Sequence, residues 1–119
     1  MKIVVGGCRN FHDQEVVFRC LSDFLKEYPE EGKLIFLSGH CAGVDQLAEQ
    51  FAVQNNHPCI LFPAEWSKYG RAAGPIRNQK MVDEADYVLA FWDGSSRGTA
   101  SLIRYAQQCG KPVRIIPIQ

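Results

Sequence analysis

The sequence has 119 residues, of which 46% are hydrophobic and 22% are charged, and its 13 basic residues are balanced by 13 acidic ones. A chain of this length is sufficient for one domain with a buried core, and we predict a single domain over residues 1–119. The neutral charge balance argues against a general binding surface for nucleic acid or for an anionic membrane, so nucleic acid is an unexpected partner.

The apolar runs are a few residues long, whereas a membrane-spanning helix needs about 20 residues. The amino terminus shows no secretory pattern of a charged region, an apolar stretch and a cleavage site. We therefore expect a cytoplasmic protein without a membrane partner. A disulfide framework is also unexpected, because the five cysteines are scattered, odd in number and without a C-x-x-C pair.

Short apolar segments alternate with segments whose apolar residues recur at helical spacing. In chain order, this pattern predicts a strand over 2–6, a helix over 13–28, a strand over 34–38, a helix over 44–55, a strand over 59–62, a helix over about 75–84, a strand over 87–91, a helix over 99–109 and a strand over 113–116. Asp13 is suited to cap the first helix, and Pro29 to help end it. The stretches 63–75 and 92–98 are predicted to be loops.

This alternation of strands and helices predicts an α/β fold of the Rossmann-like kind. The near-continuous apolar strands indicate a parallel sheet that is covered by helices on both faces, in three α/β/α layers. We predict about five parallel strands in the order 3-2-1-4-5. Such a sheet binds ligands in the crevice outside the carboxyl ends of strands 1 and 4, where the strand order reverses.

Three loops at this edge of the sheet are rich in small residues. Glycine lets the backbone approach a phosphate closely, the first N–H groups of a helix favour an anion, and arginine adds a charged fork. For any one loop, a plain turn remains the alternative. The loops do not match the pattern of a P-loop or of a dinucleotide dehydrogenase. The predicted phosphate ligands are Gly6, Gly7, Arg9, Ser38, Gly39, Gly43, Gly94, Ser96, Gly98 and Thr99.

The segment 63–78 combines aromatic, basic and small residues at the same edge. Trp66 and Tyr69 are suited to stack on a base, and Arg77, followed by Asn78, is suited to grip a phosphate. An ordered surface lid is the alternative interpretation. Asp45, in the first turn of the second helix, either compensates the helix dipole or bonds to a ribose hydroxyl or its own loop.

Cys8, His40 and Cys41 are predicted to lie near one another. Their spacing does not match a metal-binding motif, so no metal is expected. A nucleophilic cysteine would need a base partner, and the sequence identifies none.

These residues resemble the YspA-type branch of the SLOG superfamily, whose relatives include the DprA/Smf and LOG (lysine-decarboxylase-like) proteins. The resemblance covers nearly the whole chain. The matching blocks are Gly6-Gly7-x-Arg9, Ser38-Gly39 through Gly43-x-Asp45, Phe62-Pro63-Ala64-x-Trp66-x-x-Tyr69-Gly70-x-x-Ala73-Gly74-Pro75-x-Arg77-Asn78-x-x-Met81, and Phe91-x-x-Gly94-x-Ser96-x-Gly98-Thr99. The resemblance implies a Rossmann-like domain that senses or processes nucleotide-derived ligands of the ADP-ribose or NAD type, often as a homo-oligomer.

The chain departs from its relatives at three places. His40 and Cys41 stand where the family carries small residues or arginine, and Glu65 stands where it often has aspartate. Leu102 stands in place of the glutamate that LOG enzymes use to cleave N-glycosidic bonds. This last departure argues against that reaction by that mechanism.

The main hypothesis is a binding or sensing domain for a phosphate-bearing nucleotide derivative. The alternative is a nucleotide-processing hydrolase of the N-glycosidase or phosphohydrolase type, in which Glu65, Asp93 or Asp45 supplies acid–base chemistry. Nucleic-acid binding like that of DprA is a third hypothesis, which the neutral charge disfavours. The expected partner is a small nucleotide ligand, and a homo-oligomer is expected.

Overall fold

The computed structural model describes residues 1–28 and 33–119, so the predicted role of Pro29 lies outside the described residues. Among the described residues, no helix is both long and apolar enough to cross a membrane. The elements are β1 (Lys2–Gly7), α1 (Gln14–Glu27), β2 (Ile35–Ser38), α2 (Val44–Gln54), β3 (Cys59–Leu61), α3 (Trp66–Tyr69), a 3₁₀ turn (Gly70–Ala72), α4 (Ala73–Glu84), β4 (Tyr87–Trp92), α5 (Arg97–Gln108) and β5 (Val113–Pro117).

The five strands form one parallel sheet in the order β3-β2-β1-β4-β5, which confirms the predicted fold class and strand order. β1 lies at the centre and pairs with β2 on one side and with β4 on the other. The order reverses between β1 and β4, where Gly6 is in register with Ala90 and Gly7 with Phe91.

Alternate residues of each central strand point into two separate cores. Ile3 and Val5 of β1 pack with buried residues of α1 and α2. Val4, which lies between them, packs with buried residues of α4 and α5 on the other face. This two-sided burial explains why the strands are continuous apolar runs instead of alternating apolar and polar residues.

The predicted loops at 63–75 and 92–98 contain more helix and strand than expected. α3 and the 3₁₀ turn lie within the first stretch, and α4 already begins at Ala73. Pro75 falls in the first turn of α4, where proline is tolerated because its missing N–H is not needed there. In the second stretch, Trp92 still pairs with β5, and α5 begins at Arg97.

The predicted cap of α1 is present. Asp13 precedes the helix in an extended conformation, and its Oδ1 accepts a hydrogen bond from the backbone N–H of Val16 at 3.2 Å. The bond satisfies one of the N–H groups that a helix start leaves unpaired. Asp13 is therefore the helix cap that the sequence predicts.

Candidate functional site

A cavity of about 270 Å³ opens at the carboxyl ends of β1 and β4, where the strand order reverses. We call it the first cavity. Its wall comes from the loop after β1, the loop into α2, the inner face of α4 and the start of α5. The following predicted ligand-binding residues line it: Gly6, Gly7, Arg9, Asp45, Arg77, Asn78, Ser96, Gly98 and Thr99.

The amino terminus of α5 forms one side of the first cavity. Ser96 is the N-cap residue, and Gly98 and Thr99 follow in the first turn. The first N–H groups of a helix lack partners within the helix and carry the positive end of the helix dipole. This side of the cavity is therefore suited to hold an anionic group.

The carboxylate of Asp93 lies at the same side. Its Oδ1 accepts hydrogen bonds from the backbone N–H groups of Ser95 at 2.9 Å and of Ser96 at 2.8 Å. These two bonds hold the pKa of Asp93 below its ordinary value. Asp93, a candidate acid or base at the sequence level, thus stays ionised as a cap of the turn before α5.

Asp45 is buried between the loops that follow β1 and β2. Its carboxylate accepts hydrogen bonds from the N–H of Gly7 and the N–H of Cys41, both at 3.3 Å. Burial raises the pKa of Asp45 to about 6, although these bonds and the nearby charge of Arg77 oppose the rise. The carboxyl group therefore holds its own loops together and also faces the cavity.

Arg77 and Asn78 tie α4 to the loops around the cavity. The Arg77 guanidinium is buried and donates from Nε to Oδ1 of Asn78 and from Nη1 to the carbonyl oxygen of Gly39, both at 2.8 Å. Asn78 donates from Nδ2 to the carbonyl oxygen of Gly98 at 3.4 Å. A fixed positive charge is thus placed beneath the site.

Several predicted phosphate ligands lie outside the lining of the first cavity. The hydroxyl of Ser38 is buried and donates to Oε2 of Glu49 at 2.7 Å. Gly43 has φ +80° and packs so closely on the loop after β1 that a Cβ there would lie 2.4 Å from the Cys8 carbonyl oxygen. Gly39 packs on the Arg77 guanidinium, and Gly94 has φ +88° in the turn that Asp93 closes.

A second cavity, of about 310 Å³, lies beside the first and shares Arg9, Cys41 and Arg77 with it. Its wall also includes Gly39, His40 and Trp66. The Trp66 side chain packs on Gly74 and remains 52% exposed, so a flat ring is open to solvent next to two arginines.

A third cavity, of about 230 Å³, lies between β3 and α4 and contains Glu65 and Tyr69. The Lys68 and Lys80 ammonium groups lie 5.0 Å and 5.8 Å from the centre of the Tyr69 ring. The Oε1 atom of Glu65 lies 3.8 Å from Nζ of Lys80. The structure therefore places the two aromatic candidates, Trp66 and Tyr69, in different cavities.

Comparison with known proteins identifies the family. Residues 1–69 match the model of the family described as "YspA, cpYpsA-related SLOG family". The chain is 33% identical over 118 residues to the Gene 61 protein of Mycobacterium phage D29, and the match covers 94% of this chain and 93% of that protein. The chain belongs to the YspA-related SLOG family. The resemblance noted from the sequence is thereby confirmed.

Two solved structures share the fold of this SLOG protein. DNA processing protein A (DprA) from Streptococcus pneumoniae superposes with a TM-score of 0.78 at 19% identity, over 99% of this chain and 50% of that chain. DprA from Helicobacter pylori, studied for its single-stranded DNA binding mode, superposes with a TM-score of 0.70 at 19% identity, over 100% of this chain and 66% of that chain. This SLOG protein thus spans half to two thirds of the length of these DprA chains.

Sequence reasoning missed some residues that line the first cavity. Asn10 was not singled out, Met81 was named only as part of the block that resembles the family, and Cys8 and Cys41 were considered only as metal ligands or nucleophiles. In the described part of the chain, no group of three potential metal ligands is brought together. Leu102, which replaces the LOG glutamate, lies one helical turn after Thr99 and also lines the first cavity. It packs so closely on Gly6 that a Cβ added to Gly6 would lie 2.8 Å from Cδ2 of Leu102. The helical spacing from Thr99 would have revealed its orientation.

Proposed function

We propose that this SLOG protein binds a nucleotide-derived, phosphate-bearing ligand at the carboxyl edge of its sheet. The observation that carries this proposal is the meeting of Arg9, Arg77 and the amino terminus of α5 around one cavity. Arginine forks and unpaired helix N–H groups both favour phosphate. The cavity lies at the reversal of strand order, which is where open α/β sheets bind their ligands.

The polar groups of the first cavity favour a ligand that also carries hydroxyl groups. Asp45 and Asp93 both line the cavity, so their carboxylates face the space that the phosphate shares with Arg9 and Arg77. A carboxylate accepts hydrogen bonds well from ribose hydroxyls, whereas it repels a second phosphate nearby. A sugar phosphate with its ribose towards Asp45 satisfies both requirements.

The connection between the two cavities favours an elongated ligand of the ADP-ribose class. The cavities meet at Arg9, Cys41 and Arg77, and Trp66 lies exposed in the second. A base stacked on Trp66 would leave its phosphates between the two arginines and a second ribose in the first cavity. In this arrangement, Tyr69 does not contact the base, because it lies in the third cavity.

Ligand-induced stabilisation tests the proposal. Purified protein is heated with ADP-ribose, NAD, AMP or ribose 5-phosphate, and the melting temperature is recorded. A ligand that binds only the native state at a hundredfold excess over its Kd stabilises by about 2.7 kcal/mol. We expect Arg9→Ala to weaken binding by about tenfold or more, because this exposed arginine lines both cavities.

Arg104→Ala is the matched control for this experiment. Arg104 is an exposed arginine on α5 that lines neither the first nor the second cavity. Its removal changes the net charge by the same amount and leaves the site intact. Equal binding by the two variants, or no stabilisation of the wild type by any of these ligands, would contradict the proposed function.

Single-stranded nucleic acid is the second candidate ligand, and a specific surface favours it. α3 and the 3₁₀ turn expose Trp66, Lys68 and Arg71, and the Tyr69 side chain between them is half-buried. Proteins that bind single strands without sequence preference stack the bases on aromatic rings and hold the backbone with basic side chains. The DprA from Helicobacter pylori, which shares the fold, is described by its single-stranded DNA binding mode.

The salt dependence of binding distinguishes the two candidates. A labelled oligonucleotide is titrated with the protein at increasing salt, and fluorescence anisotropy gives the Kd. If this surface binds single strands, the logarithm of the association constant falls with the logarithm of salt by about 0.7 per phosphate contacted. Lys68→Ala then lowers the slope, whereas Lys26→Ala, an exposed lysine of α1, leaves it unchanged. The absence of any binding at low salt would eliminate this candidate.

A further inference from the structure

His40 is held in an unusual backbone conformation beside the second cavity. Its φ is +60°, in the left-handed region that residues other than glycine seldom adopt. A hydrogen bond from the His40 N–H to the Ser38 hydroxyl, at 3.1 Å, holds this conformation in place. Backbone of this kind persists where surrounding bonds enforce it, and it is concentrated at functional sites.

The imidazole of His40 is paired with a carboxylate. Its Nδ1 lies 3.0 Å from both oxygens of Glu49, and Glu49 also accepts a hydrogen bond from the Ser38 hydroxyl at 2.7 Å. An ionised carboxylate only accepts hydrogen bonds, so Nδ1 carries the hydrogen. In the neutral ring, the lone pair is then on Nε2, the tautomer that a proton acceptor requires.

The surroundings of the ring supply positive charge for a phosphate. His40 lines the second cavity together with Arg9, Cys41 and Arg77, and Glu49 holds the ring from α2. The Glu49 side chain is 18% exposed, compared with 47% for His40, so the carboxylate is the sheltered member of the pair. A sheltered carboxylate behind an exposed imidazole, in a cavity that two arginines also line, is an arrangement suited to activate a water molecule for attack on phosphorus.

We propose that His40 acts as a general base that hydrolyses the diphosphate linkage of a ligand spanning the two cavities, with Glu49 and Ser38 as positioning residues. The proposal rests on the proposed nucleotide-binding function. Water gives a proton to Nε2 of His40, and its oxygen forms a bond to the phosphorus in the second cavity. The bond from that phosphorus to the bridging oxygen breaks. The bridging oxygen keeps the electron pair and leaves as part of the phosphate in the first cavity, next to Arg77.

The test uses ADP-ribose in water enriched in oxygen-18. With the base on Trp66, the attacked phosphorus is the one bonded to adenosine, so the products are AMP, which carries the label, and unlabelled ribose 5-phosphate. We expect His40→Asn to lower kcat by about 10²-fold to 10⁴-fold, the usual range for loss of a general base. Asparagine tolerates the left-handed conformation, so this variant is expected to fold and to keep ADP-ribose binding. His12→Ala, at another exposed histidine, is the control and keeps the wild-type rate.

Glu49→Gln separates positioning from mere structural support. The amide no longer favours the Nδ1–H tautomer, so kcat falls, KM stays within about twofold, and the pH profile of kcat changes its shape. Three results overturn the inference while leaving nucleotide binding intact: bound ADP-ribose is not cleaved, the label enters only ribose 5-phosphate, or His40→Asn keeps the wild-type kcat. If ADP-ribose fails to bind the wild type at all, the proposed function fails first, and this inference fails with it.

Discussion

At Asp45, the free energy of burial competes with hydrogen bonds from two loops. The Asp45 residue is 6% exposed, and the pKa of its carboxyl group is raised from the ordinary value of 3.8 to about 6 chiefly by desolvation. The N–H groups of Cys41 and Gly7 favour the ionised form but do not offset the loss of water. A group of this kind lets the stability of the fold depend on pH.

Asp45→Asn tests that dependence. Between about pH 4 and about pH 6 the native state binds more protons than the unfolded state, so wild-type stability falls as the pH rises through this window. The difference between 3.8 and about 6 corresponds to about 3 kcal/mol. We expect the free energy of unfolding of Asp45→Asn, relative to wild type, to rise by about this amount across the window and to stay level above it.

Urea denaturation at a series of pH values measures the effect. Asp23→Asn, at an exposed aspartate of α1, is the control and is expected to follow the wild type. A constant difference between Asp45→Asn and wild type from pH 4 to pH 7 would mean that Asp45 ionises as readily in the fold as in the unfolded chain.

Two glycines in the loops show how much the residue type alone reveals about a binding site. The sequence predicted phosphate contacts for Gly7 and for Gly43, and the structure places only Gly7 in the lining of the first cavity. Gly43 instead lets α2 approach the carbonyl oxygens of Cys8 and Arg9. Because a glycine is needed for either kind of close approach, the residue type alone does not distinguish a ligand from the protein's own backbone.

At the level of elements, the start of α5 combines a helix dipole with a carboxylate. Asp93 bonds to the N–H groups of Ser95 and Ser96, on the side of the first cavity where we place the phosphate. The carboxylate caps the turn, and its negative charge opposes an anionic ligand. The two effects are separable, because an asparagine side chain keeps an accepting oxygen and loses the charge.

Asp93→Asn is therefore expected to bind a phosphate ligand more tightly than the wild type. The helix N–H groups and Arg9 then act without a neighbouring negative charge, so the Kd for ADP-ribose falls, as measured by calorimetry at low salt. The gain shrinks as salt is added, because the charge is exposed and screened. Weaker binding by this variant would instead indicate that Asp93 contacts the ligand directly, for instance through a ribose hydroxyl.

The segment from Trp66 to Pro75 shows why some elements escape sequence reasoning. Gly70, Gly74 and Pro75 punctuate it like a loop, and the exposed side chains of α3 give no apolar periodicity. Its helices depend on features of the folded chain that local helix propensity does not reveal. Gly70 turns the backbone with φ +56°, and Gly74 leaves room for the Trp66 ring. The pairing of His40 with Glu49 escaped for a similar reason, since it appears only once β2 and α2 are packed together.

At the scale of the whole molecule, the strand order could be predicted because the sequence repeats one pattern, an apolar strand followed by a helical segment. Each of the first four strands is followed by at least one helix, and helices must cover both faces of a parallel sheet. Most residues of the two central strands, β1 and β4, are consequently buried. We expect the crevice between them to be rigid, because it is built on this doubly covered centre.

This distribution of burial predicts where the fold is most sensitive. Leu89 of β4 is fully buried between the layers, whereas Ile115 of the edge strand β5 is 41% exposed. Leu89→Ala is expected to lower the free energy of unfolding by about 2–5 kcal/mol, because a cavity remains in the core. Ile115→Ala, a comparable loss of methyl and methylene groups, is expected to cost less than about 2 kcal/mol. Urea midpoints at unchanged m values measure both. Equal losses at the two positions would mean that β5 is held as firmly as the centre, and that the crevice does not owe its rigidity to the buried strands.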